Sequence, residues 1–253
     1  MFFLRKFGKV GARALALVFF VVVVFVLVGC RSDSESSVTI RGERYGVSLV
    51  SLRLSEMDLQ DDEIVPLRYM TNLTWLDLSL NNISDLSPLA GLSSLEVLVL
   101  SGNRISDISP LSGMVNLTIL SLGGNQISDI GPLSGIVGLD TLWLGGNLVS
   151  DIGPLSGLAG LTELHLADNQ VGDLGPLSGL TGLTELLLSG NQISDISPLS
   201  GLLVLDWLDL DGNNISDLSP LADHPELRIL SVRGNPISDW APVRHIRNVL
   251  RDR

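Results

Sequence analysis

Lysine is confined to the first nine residues, at Lys6 and Lys9, and the chain holds one cysteine, three histidines and only 5% aromatic residues. A single cysteine, Cys30, excludes any disulfide within the chain. The histidines, His165, His224 and His245, have no cysteine or second histidine close in sequence, so neither a zinc site nor a catalytic triad is expected. No glycine-rich phosphate loop occurs. These scarcities argue against an enzyme and against any cofactor or resident metal.

Basic residues concentrate where the chain begins. Arg5, Lys6, Lys9 and Arg13 precede an uninterrupted apolar run from Ala14 to Val28, which as a helix would span about 23 Å, short of the roughly 30 Å hydrocarbon core. A basic flank, a short apolar core and then small residues predict an export signal over residues 1–29. Leu27-Val28-Gly29-Cys30 resembles the lipobox of bacterial lipoproteins. That resemblance implies acylation of Cys30 by more than one chain and an exported bacterial lipoprotein held at a membrane. An uncleaved helix is the alternative and gives the same topology.

Losing four of the 16 basic residues leaves 12 arginines against 28 acids, a formal charge of −16. Such a surface repels nucleic acid and anionic headgroups, so only the lipid would hold the chain to a membrane. Residues 30–44 are Ser-rich and charged and predict a flexible tether.

From Leu73 a 22-residue unit recurs without insertion at Leu95, Leu117, Leu139, Leu161, Leu183, Leu205 and Leu227. A representative copy has Leu183, Leu186, Leu188, Asn191, Ile193, Asp195, Ile196, Pro198, Leu199, Gly201 and Leu202 at fixed offsets. This resembles the leucine-rich repeat, L-x-x-L-x-L-x-x-N-x-[IV], and the following S-D-[IL]-x-P-L is most similar to internalin-type bacterial repeats. The resemblance implies an α/β-type leucine-rich-repeat solenoid: a curved right-handed coil with a parallel concave β-sheet and a convex side of turns and 3₁₀ segments. One coil cannot bury its leucines alone, so neighbouring coils share a continuous core. Residues 45–72 predict an N-terminal cap with a degenerate repeat, 73–238 the repeats, and 239–253 a C-terminal cap. In that last cap Val243, Ile246, Val249 and Leu250 suggest the apolar face of a short helix.

Three further columns punctuate each coil. Asn81, Asn103, Asn125, Asn147, Asn169, Asn191, Asn213 and Asn235 are expected to satisfy backbone groups where the coil leaves its strand. A Pro column (Pro88 to Pro242) and a Gly column (Gly91 to Gly201) predict tight convex turns. The aspartates from Asp85 to Asp239 suit turn capping, with calcium binding as the alternative.

Positions 3, 5 and 7 of each coil break the repetition and should point out of the sheet. They carry Trp75, Val97, Val99, Ile119, Trp143, Glu163, His165, Glu185, Leu187, Trp207, Asp209 and Asp211. Exposed together, these residues would form an apolar stripe with an acidic C-terminal half, suited to a protein partner having basic and apolar features. The reading is a monomeric, membrane-anchored protein-binding module. A cell-envelope spacer without a specific ligand is the alternative. A phosphatase-regulator role inside a cell, as similar eukaryotic repeats perform, is opposed by the export signal.

Overall fold

A computed structural model describes residues 36–252; the expected export signal, Cys30 and the first part of the tether lie outside the described residues. The described chain begins with an antiparallel hairpin, β1 (Ser37–Ile40) and β2 (Glu43–Gly46). A ten-stranded parallel sheet follows in chain order: β3 (Ser51–Arg53), β4 (Trp75–Asp77), β5 (Val97–Val99), β6 (Ile119–Ser121), β7 (Thr141–Trp143), β8 (Glu163–His165), β9 (Glu185–Leu187), β10 (Trp207–Asp209), β11 (Ile229–Ser231) and β12 (Asn248–Leu250).

Each strand is three residues long and pairs in register with the next coil, as Trp75↔Val97 and Leu76↔Leu98 illustrate. Side chains alternate across a strand. Leu76 and Leu78 therefore enter the core, while Trp75 and Asp77 stand on the opposite, open face. The return path is built from 3₁₀ turns, with no α-helix among the described residues. In the first full coil Leu89 N–H donates to Leu86 O, Leu92 N–H to Leu89 O and Leu95 N–H to Leu92 O. A 3₁₀ segment eclipses residues three apart, so the spacing Leu86, Leu89, Leu92, Leu95 places all four on one face, and all four are buried. The threefold spacing of leucine is the reason these segments tighten to 3₁₀.

Position 8 is left-handed throughout the repeats. Glycine stands there at Gly102, Gly124, Gly146, Gly190, Gly212 and Gly234, all with positive φ, and so do Leu80 and Asp168. These are the glycines the backbone requires. None in the Gly91–Gly201 column has a positive φ. The asparagines then lock successive coils. Ile127 N–H donates to Asn147 Oδ1 (3.0 Å), while Asn147 Nδ2 donates to Leu122 O (3.0 Å) and Leu144 O (2.9 Å). Each carboxamide thus joins its own coil to the preceding one.

Both ends differ from expectation. A tether reaching residue 44 gives way to the β1–β2 hairpin, because Val38 and Ile40 alternate with polar residues and have an apolar coil edge to cover. Both are buried in the common core. The tip, Arg41-Gly42, has φ of 51° and 82°, as a two-residue hairpin turn requires. Arg41 also pairs with Glu63 at 3.1 Å. At the other end the closing helix is absent. Residues Ala241–Val243 repeat the 3₁₀ turn, and Asn248–Leu250 form an edge strand paired as Ile229↔Asn248. That register makes the last coil three residues shorter than the 22-residue unit, because the threefold spacing of Val243 and Ile246 leads directly into the strand. Arg251 covers Trp240, its guanidinium 4.8 Å from the ring centroid.

Candidate functional site

The open face of the sheet gathers the strand residues that vary between coils. Position 3 runs Ser51, Trp75, Val97, Ile119, Thr141, Glu163, Glu185, Trp207 and Ile229, each beside the next. Position 5 runs Arg53, Asp77, Val99, Ser121, Trp143, His165, Leu187, Asp209 and Ser231 in the same way. An exposed apolar stripe is not what results. Trp75, Val97, Val99, Ile119, Trp143 and Trp207 are half-buried, and Leu187 is only 6% exposed. Neighbouring strands lie about 4.8 Å apart, so each side chain in a column shades the next. The more exposed large apolar residues stand at the coil edges, where Val115, Val137, Leu203 and Val204 sit beside the turns that enter the strands.

Midway along this face four groups of three chemical kinds converge. Trp143 and His165 are register partners on β7 and β8, and their rings stack with centroids 5.3 Å apart and planes 9° from parallel. His165 Nε2 lies 2.8 Å from Glu185 Oε1. Glu163 and Glu185 are themselves register partners. Burial raises the Glu163 pKa, and Glu185 and Asp140 add like-charge repulsion that His165 partly offsets. Among the described residues, no arginine forms an ion pair with Glu163 or Glu185. Trp143 Nε1 is buried and has no hydrogen-bond partner.

The acidic residues farther along are engaged locally. Burial raises the Asp209 pKa, and Asp209 Oδ1 accepts the Asp211 N–H at 3.0 Å. Asp211 accepts from the Ser231 hydroxyl and the Arg233 N–H, both at 2.6 Å, and pairs with the Arg233 guanidinium at 3.0 Å. The acidic half is therefore partly neutralised by Arg233, while Glu185 has His165 as its partner and Glu163 has no ion-pair partner among the described residues.

On the opposite side every aspartate of the column binds its own turn. Asp151 Oδ1, for example, accepts the Gly153 N–H at 2.8 Å, and Asp107 accepts both the N–H and the hydroxyl of Ser109. This is the capping geometry.

With this geometry in place, comparison with known proteins is direct. The family described as leucine-rich repeats (2 copies) matches residues 71–113, 115–157 and 159–201. The chain belongs to the leucine-rich-repeat family. Leucine-rich-repeat proteins commonly mediate protein–protein interaction, and they are typically not enzymes. Among solved structures, this leucine-rich-repeat chain is similar to an internalin from Listeria monocytogenes, with 30% identity and a TM-score of 0.70 over 83% of this chain and 70% of that one. A leucine-rich-repeat protein of Leptospira interrogans shares 26% identity with a TM-score of 0.69, covering 74% of this chain and about half (51%) of the other. The ectodomain of a plant membrane receptor kinase from Arabidopsis thaliana shares the fold at 24% identity, with a TM-score of 0.72 over 80% of this chain and 26% of that one. No curated protein matches the chain significantly. Among the described residues no helix is long and apolar enough to cross a membrane.

The grouping of Glu163, His165 and Glu185 is not legible in a search for cysteine and histidine, because two of its members are carboxylates 22 residues apart. The signal lies in the 22-residue period itself, which makes residues 163 and 185 neighbours.

Proposed function

We propose that this leucine-rich-repeat chain is a membrane-anchored interaction module that binds a protein partner on the open, concave face of its sheet. Cys30 supplies the anchor, and its lipobox-like sequence supports an exported lipoprotein. Trp75, Trp143 and Trp207 are the anchoring side chains, assisted by Val97, Val99 and Ile119, and Glu163 and Glu185 select a partner with basic character. The observation that carries this reading is the contrast between columns: core, asparagine and aspartate positions repeat in every coil, whereas positions 3 and 5 change from coil to coil. Half-burial fits the role, since a partly packed aromatic ring loses less conformational freedom on binding than a fully exposed one.

The test is cross-linking from this face in intact cells, with wild type compared to the triple variant Trp75→Ser, Trp143→Ser, Trp207→Ser. Truncating hot-spot aromatics costs about 2 kcal/mol or more each, roughly thirtyfold in affinity, so the triple variant should lose the partner that wild type captures. A folded triple variant that still captures it would favour the envelope spacer instead.

A further inference from the structure

The open face holds a second kind of chemistry beside its apolar residues. Glu163 and His165 lie two residues apart on β8 and so share one face. Glu185 on β9 stands directly beside Glu163. One carboxylate oxygen from each glutamate and one imidazole nitrogen from His165 all lie within 4.8 Å of one another. We propose that Glu163, His165 and Glu185 bind a single divalent transition-metal ion of the zinc type, leaving at least one coordination position open toward solvent.

Three arguments carry the assignment. Zinc binds imidazole nitrogen and carboxylate oxygen at about 2.0–2.2 Å, so tetrahedral donors stand about 3.4 Å apart. The longest separation here shortens by at most about 1.4 Å to reach that geometry, within the reach of the glutamate side-chain torsions. His165 Nε2 and Glu185 Oε1, hydrogen-bonded at 2.8 Å, would open by about 0.6 Å as the metal replaces the proton they share.

The second argument is rigidity. The donors stand on adjacent strands held in register, and the Trp143 ring stacked on His165 fixes the imidazole plane. A metal site needs such orientation of its ligands. Leu187, buried beside His165 on β9, makes one wall apolar.

The third argument is charge and donor type. The two carboxylates stand side by side, and no arginine ion-pairs with either among the described residues. A dication supplies the compensation. One nitrogen and few donors suit a zinc-like ion better than calcium, which takes six to eight oxygens. The convex aspartates do not compete, since each already accepts an N–H from its own turn, as Asp129 does from Gly131.

This inference stands apart from partner binding, because metal uptake is read with no partner present. Untagged, metal-stripped full chain is titrated with zinc chloride by calorimetry, and the bound ion is counted after equilibrium dialysis. The expected result is one ion per chain in the micromolar range or tighter. His165→Ala should lower the affinity at least a hundredfold, and Glu163→Gln or Glu185→Gln at least tenfold. Asp129→Asn and His245→Ala should leave it unchanged. As a check on the unaltered residues of the site, cobalt(II) should quench tryptophan fluorescence, and Trp143→Phe should abolish most of that quenching while still binding one zinc. The proposal is overturned if zinc binds no tighter than 1 mM, if folded His165→Ala binds it as wild type does, or if cobalt quenching is unaffected by Trp143→Phe.

Discussion

Asn147 offers a direct measure of what holds one coil to the next. Its side chain accepts from Ile127 N–H and donates to the carbonyls of Leu122 and Leu144. Those carbonyls keep a second donor when Asn147 is removed, because Asn125 Nδ2 also reaches Leu122 O at 2.8 Å and Asn169 Nδ2 reaches Leu144 O at 3.0 Å. Ile127 N–H, inside a fully buried residue, has no such reserve. In Asn147→Ala, one orphaned buried N–H costs about 1–3 kcal/mol and two lost net hydrogen bonds about 1 kcal/mol each, for a total of about 3–5 kcal/mol. A domain with about 5–15 kcal/mol in all would lose a large part of its stability. Asn147→Asp keeps the acceptor for Ile127 but turns a second oxygen toward two carbonyls. It should be at least as destabilising at pH 7 and recover on acidification, as protonation restores one donor. Urea unfolding followed by far-UV circular dichroism gives the differences directly. Asn214→Ala, at an exposed asparagine next to the ladder residue Asn213 three coils away, should stay within about 0.5 kcal/mol of wild type. The account of the ladder fails if Asn147→Ala lies within 1 kcal/mol of Asn214→Ala.

Three further outcomes are expected. His224 stands where earlier coils have Leu, Met or Ile, is 1% exposed, and has Nδ1 unpartnered; burial pushes its pKa below the usual 6.5. The unfolded chain therefore takes up the proton first, and stability should fall as pH drops below about 6.5 until the folded pKa is reached. His224→Leu should remove that component of the slope and stabilise the protein by about 1 kcal/mol, since Leu199 O keeps the Leu202 N–H; an unchanged slope refutes this. The Asp107, Asp195 and Asp217 carboxyls are held below the usual 3.8 by the N–H and hydroxyl of the serine two residues on. Their stabilisation is present above that value and lost as pH falls through the lowered pKa, so Ser109→Ala, Ser197→Ala and Ser219→Ala together should move acid unfolding to higher pH, read by circular dichroism. Finally, Cys30→Ala should release the chain from membranes on fractionation, and continued retention would refute the lipid anchor.

Much of the fold is legible in the sequence because each repeated position answers one physical demand. Leu86, Leu89, Leu92 and Leu95 announce a threefold path, and Leu76 and Leu78 a strand. What sequence hides is whatever depends on distance between coils. Val38 and Ile40 sit next to a serine run, and only the uncovered edge of the first coil explains why they order into a hairpin. The last coil shortens by one triplet, which hydrophobic spacing cannot distinguish from a helix, since Val243, Ile246, Val249 and Leu250 suit either. Burial of Leu187 and half-burial of Trp143 follow from the strand spacing and from the size of their neighbours, neither of which a single coil contains.

The same division explains where function can reside. In each coil the core leucines, the ladder asparagine and the capping aspartate are committed to holding the next coil in place, and a change at any of them is felt as lost stability. Positions 3 and 5 carry no such duty. Because coils touch only their neighbours, a substitution there is paid locally and leaves the rest of the array intact. The open face can therefore bring together chemically unlike groups, such as the Trp143 ring, the His165 imidazole and the Glu163 and Glu185 carboxylates, that a repeating core excludes. Their proximity is fixed by strand register and not by their own attraction. Two carboxylates lie side by side there without an arginine, and a scaffold selected only for stability has no reason to keep that arrangement.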